Sequence, residues 1–261
     1  MNKSGKVYLI GAGPGDPELM TLRAVRMLAE ADAVVYDRLV SPEIVATAPK
    51  GAKLVYVGKS PGVHTVPQER INEILAELAG AGLTVARLKV GDPMIFGRGS
   101  EEAAYLTARG ITVEYAPGIT SAQGAAASTG VPLTHRGLAG GVQYVTGHRQ
   151  RDRTLDLDWK RLADPDTTLV VYMGVANIGQ IALRLIAEGM PQGLPVMAVA
   201  NATTPREARL VSRLDRIAID LRDWQVEGPV LFFIGHVVSL CAQEGSRALD
   251  LEPHLTAVAH A

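Results

Sequence analysis

Two turns in this sequence hold residues whose types and spacing could do chemistry. GAGPGD, Gly11 to Asp16, directly follows an apolar run, and LKVGDPMIFGRGSEE, residues 88–102, sets Gly91, Asp92 and Pro93 after another. A dinucleotide fold places G-x-G-x-x-G at the first of these positions, opening a helix onto a pyrophosphate. Gly11 and Gly13 fit, and Asp37 ends a later apolar run about where a ribose-binding acid belongs. The third glycine, however, is Asp16, and a carboxylate there repels a pyrophosphate. Pro14 and Pro17 make the segment a rigid turn. Two readings stay open: a tight strand-to-helix turn that binds nothing, and a loop for a ligand without phosphates, such as a sulfonium nucleoside. In the second turn Asp92 can accept from an amino or hydroxyl group of a ligand, or can close an Asx-turn on its own backbone. Thr120 and Gln123 form a capping box at the start of a helix of small residues, which explains Thr120 without excluding a backbone contact to a ligand. Met173, at the end of a strand run, reads as core or as a ligand contact. His64, His135 and His148 lack ligand spacing and Cys241 is the one cysteine, so no metal and no disulfide framework are expected.

The elements that must position these turns alternate. KVYLIG (6–11), AVVYD (33–37), KLVYVG (53–58), TVARLKV (84–90) and TVEYA (112–116) are near-continuous apolar runs, the mark of strands buried on both faces of a parallel sheet. After Thr21, Leu22, Val25, Leu28 and Ala29 outline a helical face. Thr65 to Gln68 reads as a second capping box, followed by Ile71, Ile74, Leu75 and Leu78 on one face and stopped by Gly80 and Gly82. Residues 117–137 break the rhythm and predict a hinge. VQYVTG (142–147), TLVVYM (168–173), PVMAVAN (195–201), EARLVS (207–212) and PVLFFIG (229–235) then resume it, with a helix from Asn177 to Glu188 that Gly189 ends. The expected organisation is an N-terminal α/β domain over 1–116, a hinge segment over 117–137, a C-terminal α/β domain over 138–245 and a loose tail over 246–261.

Composition agrees with this class. Of 261 residues, 47% are hydrophobic and only 5% aromatic, so small and β-branched side chains do most of the packing. A net charge of −1 advertises neither nucleic acid nor an anionic membrane as partner. PVLFFIGHVVSL is too short to span a bilayer, and Pro14 and Asp16 interrupt any signal segment, so the expected location is cytoplasmic.

Five motifs in fixed order, VYLIGAGPGDPELMTLRA, VVYDRLVS, LKVGDPMIFGRGSEE, PGITSAQGAAASTGVPLTHR and VVYMG, resemble the tetrapyrrole methylases, and within them those that methylate uroporphyrinogen III. The resemblance runs from Lys6 to about Val238. It implies two α/β domains with an interdomain cleft for S-adenosylmethionine, the class III methyltransferase arrangement, in an enzyme that is usually a homodimer. The cofactor contacts it implies are Pro14, Val90, Gly91, Asp92, Ile95, Thr120, Ser121, Met173 and Ala202. The activity it implies is methylation at C2 and C7 to give precorrin-2, the branch step toward siroheme, cobalamin or haem d1. One departure is Val90, where relatives read LKGGDP; valine does not adopt a positive φ cheaply.

The implied substrate carries eight carboxylates, so cations should line its pocket. Arg38, Lys59, Arg98 and Arg136 are candidates, arginine matching a carboxylate with its planar fork. The run His148, Arg149, Arg151, Arg153 reads as solvated surface. Glu101 acts as an acid in the first turn of a helix beginning near Ser100, and the resemblance places it, with Met173, in the substrate pocket as well. The resemblance also implies Asp37 and Lys59 as an acid–base pair, Asp37 accepting and Lys59 donating, and raises Arg98 as a base for a meso proton. Competing functions are a relative acting on a later corrin intermediate, on ribosomal RNA or on a modified histidine, and, from another class, a nucleotide-binding dehydrogenase or a non-catalytic binding protein.

Overall fold

A computed structural model describes residues 5–58, 66–148 and 155–241. They divide into two units between Gly124 and Ala125. The first runs β1 (Lys6–Gly11), α1 (Leu22–Ala29), β2 (Ala33–Tyr36), α2 (Pro42–Val45), β3 (Lys53–Tyr56), α3 (Gln68–Gly80), β4 (Thr84–Lys89), α4 (Gly99–Thr107) and β5 (Thr112–Ala116). The division falls inside α5 (Ser121–Thr129). The second unit continues with β6 (Gly141–Thr146), α6 (Trp159–Leu162), β7 (Thr167–Tyr172), α7 (Ile178–Ala187), β8 (Pro195–Ala200), β9 (Ala208–Arg213), α8 (Ile217–Asp223) and β10 (Val230–Ile234).

The first sheet is all parallel, in the order β3-β2-β4-β1-β5. Alternation along its strands fills both faces, since successive side chains point to opposite sides. Tyr8, Ile10, Val34, Ala86 and Leu88 pack with Ala24, Met27 and Leu28 of α1. Val7, Leu9, Val35 and Val85 pack with Ile71, Leu75 and Ala79 of α3 and with Ala103 and Leu106 of α4. Caps tie the helices to the strand ends. Thr21 accepts from Ala24 N at 3.1 Å and donates to Pro117 O, also at 3.1 Å. Ser41 accepts from Ile44 N and donates to Gly15 O at 2.9 Å.

Three expectations need correction. The apolar runs suggested strands buried on both faces, but β3 and β5 are the sheet edges and are largely exposed. The buried face of α1 is Ala24, Met27 and Leu28, whereas Leu22 is 91% and Val25 50% exposed. The helix carries two apolar stripes and the sheet covers one. The second sheet, β6-β7-β10-β8-β9, is mixed: β6 and β7 are parallel, and β10 is antiparallel to both its neighbours, as is β9 to β8. Its core gathers Leu169, Val171, Val196, Ala198, Phe232 and Ile234 under Ile178, Ile181 and Leu185 of α7. Asn177 holds the N-cap position of that helix without a side-chain cap bond and instead donates from Nδ2 to Gly147 O at 2.6 Å, and Gly189 takes φ +103° just beyond the helix end. Thr65, Arg149, Arg151, Arg153 and the expected tail lie outside the described residues. Among the described residues no helix is long and apolar enough to cross a membrane.

Candidate active site

In an open parallel sheet the loops at the carboxyl ends of the strands form the crevice where ligands bind. Here β1 and β4 are neighbours, and the loops that leave them are pinned together. Gly91 N donates to Gly13 O at 2.7 Å and Gly13 N to Gly91 O at 3.2 Å. Both glycines are left-handed, with φ +74° at Gly13 and +67° at Gly91, a conformation that costs glycine nothing. A third loop, after β5, closes on the same point. A Cβ on Gly11 would lie 2.4 Å from Gly118 N, and one on Gly118 would lie 2.1 Å from Gly91 O. The glycines of GAGPGD therefore permit three backbones to touch. Asp16 serves its own turn, accepting from Glu18 N at 2.9 Å.

Asp92 braces this junction. One carboxylate oxygen accepts from Met94 N at 2.7 Å, the Asx-turn, and the other from Gly118 N at 3.0 Å. Each oxygen keeps a second lone pair for a ligand hydroxyl or amine. Thr120 and Ser121 stand opposite Gly91, whose Cβ would lie 3.5 Å from Ser121 N. Pro14 is buried, and Val90 and Ile95 are half-buried. The first unit thus brings together Pro14, Val90, Gly91, Asp92, Ile95, Thr120 and Ser121. Val90 is not among the residues at positive φ; the left-handed position is Gly91, so the branched side chain enters without backbone strain. In the second unit, Met173 follows β7 at φ +53° and is half-exposed, and Ala202 follows β8 beside left-handed Asn201. Non-glycine residues held there carry strain of order 1–3 kcal/mol, which gathers at functional sites. Asn201 was not singled out from the sequence.

The loop from Asp92 to Gly99 winds tightly, with Phe96 at φ +51° and Arg98 at φ +59°. Gly97 and Gly99 press on Pro93 O, where Cβ atoms would come within 2.7 and 2.6 Å. Arg98 precedes α4 and forks onto Glu101, Nε to Oε1 at 3.0 Å and Nη2 to Oε2 at 2.6 Å. That hydrogen-bonded pairing raises the Arg98 guanidinium above the usual arginine range and holds Glu101 below the usual carboxylate range. Both side chains are half-exposed. Arg38 is exposed. Arg136 is exposed too, and lines an open hollow of about 670 Å³ with Thr134, His135 and Asp166. Lys59 lies outside the described residues, so its relation to Asp37 does not enter the geometry.

Sequence reasoning missed a buried ionic cluster beneath these loops. Arg87 and Lys89 sit on β4, Glu102 on α4 and Asp37 just past β2. Glu102 accepts from Lys89 Nζ at 2.8 Å and Arg87 reaches Asp37 at 3.1 Å. Burial, then the neighbouring Arg87 cation, lowers the Lys89 ammonium from its ordinary range, with Glu102 opposing.

Residues 6–218 match the model of the tetrapyrrole (corrin/porphyrin) methylases. The chain is 56% identical over 257 residues to the uroporphyrinogen-III C-methyltransferase of Paracoccus denitrificans, covering 98% of this chain and 89% of that protein. It is 49% identical over 236 residues to the siroheme synthase of Azotobacter vinelandii, covering 90% of this chain but 51% of that protein, about half its length. Among solved structures, the uroporphyrin-III C-methyltransferase of Thermus thermophilus complexed with S-adenosylhomocysteine is 42% identical with a TM-score of 0.78, covering 92% of this chain and 96% of that one.

Proposed function

This chain belongs to the tetrapyrrole (corrin/porphyrin) methylase family, and on that premise we propose that it methylates uroporphyrinogen III with S-adenosylmethionine, at C2 and C7, to give precorrin-2. The observation that carries this reading is the junction of Gly11, Gly13, Gly91 and Gly118 at the carboxyl ends of the parallel strands, with a carboxylate, Asp16, where a phosphate-binding turn needs none. A turn that repels phosphate suits a nucleoside without phosphates.

S-adenosylmethionine supplies an intrinsically activated methyl group. The chain's own task is to align the pyrrole carbon with that methyl, exclude water and take up a proton afterwards. Pro14, Val90, Gly91, Asp92, Ile95, Thr120 and Ser121 are assigned to the cofactor, with Met173 and Ala202 from the second unit. Arg38, Arg98, Glu101, Arg136 and Met173 are assigned to the substrate. Arg98 acts there as a clamp, because its pairing with Glu101 strengthens its hold on its proton. Asp37 accepts the proton that leaves the macrocycle and Lys59 donates. A homodimer in the cytoplasm is the proposed working form.

Equilibrium dialysis separates this reading from the dehydrogenase. S-adenosylhomocysteine is expected to bind and NAD(P) not to bind; the reverse result overturns the assignment. The same assay tests the brace. Asp92→Ala frees two backbone donors and is expected to weaken S-adenosylhomocysteine binding by about 1–3 kcal/mol. Unchanged affinity removes Asp92 from the site.

A further inference from the structure

Of the charged groups under the site, Arg87, Lys89 and Glu102 have no task in the reaction as described so far. Glu102 is fully buried, and its Oε1 accepts from Lys89 Nζ at 2.8 Å, Gln68 Nε2 at 3.0 Å and Arg87 Nε at 3.4 Å. Its Oε2 is buried with no hydrogen-bond partner among the described residues. Arg87, 3% exposed, also donates from Nη1 to Leu88 O at 2.9 Å and from Nη2 to Asp37 Oδ2 at 3.1 Å. Asp37 Oδ1 accepts from Leu39 N at 3.0 Å, so both of its oxygens are held. Arg87, Lys89, Glu102 and Asp37 balance in formal charge. Asp37, with its side chain 27% exposed, is the one of the four that best reaches solvent.

Stability alone accounts poorly for this arrangement. Apolar side chains of similar volume often replace buried ion pairs at no cost or with a gain, and an unpaired buried carboxylate oxygen is a further loss. What the cluster does achieve is orientation. Contacts in three directions fix a planar guanidinium, and here they fix it from β4, α4 and the end of β2 at once.

We propose that Glu102 and Arg87 are positioning residues for proton removal, Glu102 seating the Arg87 fork and Arg87 aiming the Asp37 carboxylate. The inference rests on the reading of Asp37 as proton acceptor. Methyl transfer leaves a positive charge on the macrocycle. A meso C–H bond then breaks, its electron pair stays on the ring and cancels that charge, and the proton passes to Asp37.

The test uses three variants of the full chain, Asp37→Asn, Glu102→Gln and Arg87→Lys, and uroporphyrinogen III deuterated at the meso carbons. Glu102→Gln keeps the shape, and Arg87→Lys keeps the charge but loses the fork. Both are expected to bind S-adenosylhomocysteine normally and to lose kcat by roughly 10²-fold with KM little changed. Both should also show a larger primary isotope effect than the native chain, a readout that a merely structural role does not move. Should Glu102→Gln fail to fold, Lys89→Met combined with it removes one charge of each sign and is expected to behave alike. If Asp37→Asn destroys turnover while the other variants keep native kcat and isotope effect, the positioning proposal is overturned. If Asp37→Asn itself keeps native turnover, the acceptor reading fails first, and the proposal with it.

Discussion

Gly118→Ala is expected to lose about 3 kcal/mol or more of stability and, where the chain still folds, to bind S-adenosylhomocysteine roughly 100-fold more weakly, or about 2.7 kcal/mol. The added methyl meets only backbone: Gly91 O at 2.1 Å, with Gly11 C and Gly11 Cα both at 2.8 Å. A side chain could turn aside, but three loops joined to one another cannot. The Gly13–Gly91 bridge and the bond from Gly118 N to Asp92 would have to open together. Gly118 is not among the residues at positive φ, so alanine accepts its backbone conformation and the clash is tested alone. Gly51→Ala is the control, because a Cβ there meets nothing within 4 Å; it should change stability by no more than about 0.5 kcal/mol. Thermal unfolding and dialysis read both. Native affinity in Gly118→Ala would mean that the cofactor does not depend on this junction.

Arg98→Lys is expected to bind S-adenosylhomocysteine normally and to lose rate by around 10²-fold, the effect of a misplacement near 1 Å. The guanidinium stands ready as a fork, since Glu101 already takes it with two bonds at 3.0 and 2.6 Å. A substrate carboxylate presents the same two oxygens and can take Glu101's place, and lysine can offer only a point charge. The base role fails on its sign. Deprotonation at neutral pH needs a strongly lowered pKa, whereas Glu101 raises it, and an anionic substrate raises it further. The pH–rate profile of Arg98→Lys should therefore keep its shape. A new ionisation in that profile, with substrate affinity intact, would favour the base role.

Much of the fold was legible because apolar runs and turn residues act locally. The ten strands among the described residues lie where the runs predicted, within two residues at each end, and Gly189 ends α7 as expected. What the runs could not give was strand order. TVARLKV looked apolar, yet Arg87 and Lys89 alternate within it, and two charges on one face of a buried strand demand partners. Those partners, Asp37 and Glu102, come from the turn just past β2 and from α4, and Gln68 comes from α3. They meet only because β4 inserts between β2 and β1. The same insertion lays Gly13 beside Gly91, which turns two separate glycine motifs into one junction. For α1 the pattern was ambiguous in itself, with two apolar stripes and nothing local to rank Leu22 below Met27. Val90 raised a conformational question whose answer lay one residue on, at Gly91.

The measurement closest to the central claim is mass spectrometry of uroporphyrinogen III incubated with this protein and methyl-labelled S-adenosylmethionine. The account predicts a singly methylated species that appears first and is consumed, then a product carrying two labelled methyl groups, with S-adenosylhomocysteine formed in step. A single addition after prolonged turnover would contradict the assignment of both C2 and C7. No label on the tetrapyrrole, from a protein that binds the cofactor, would contradict the assignment of the substrate itself.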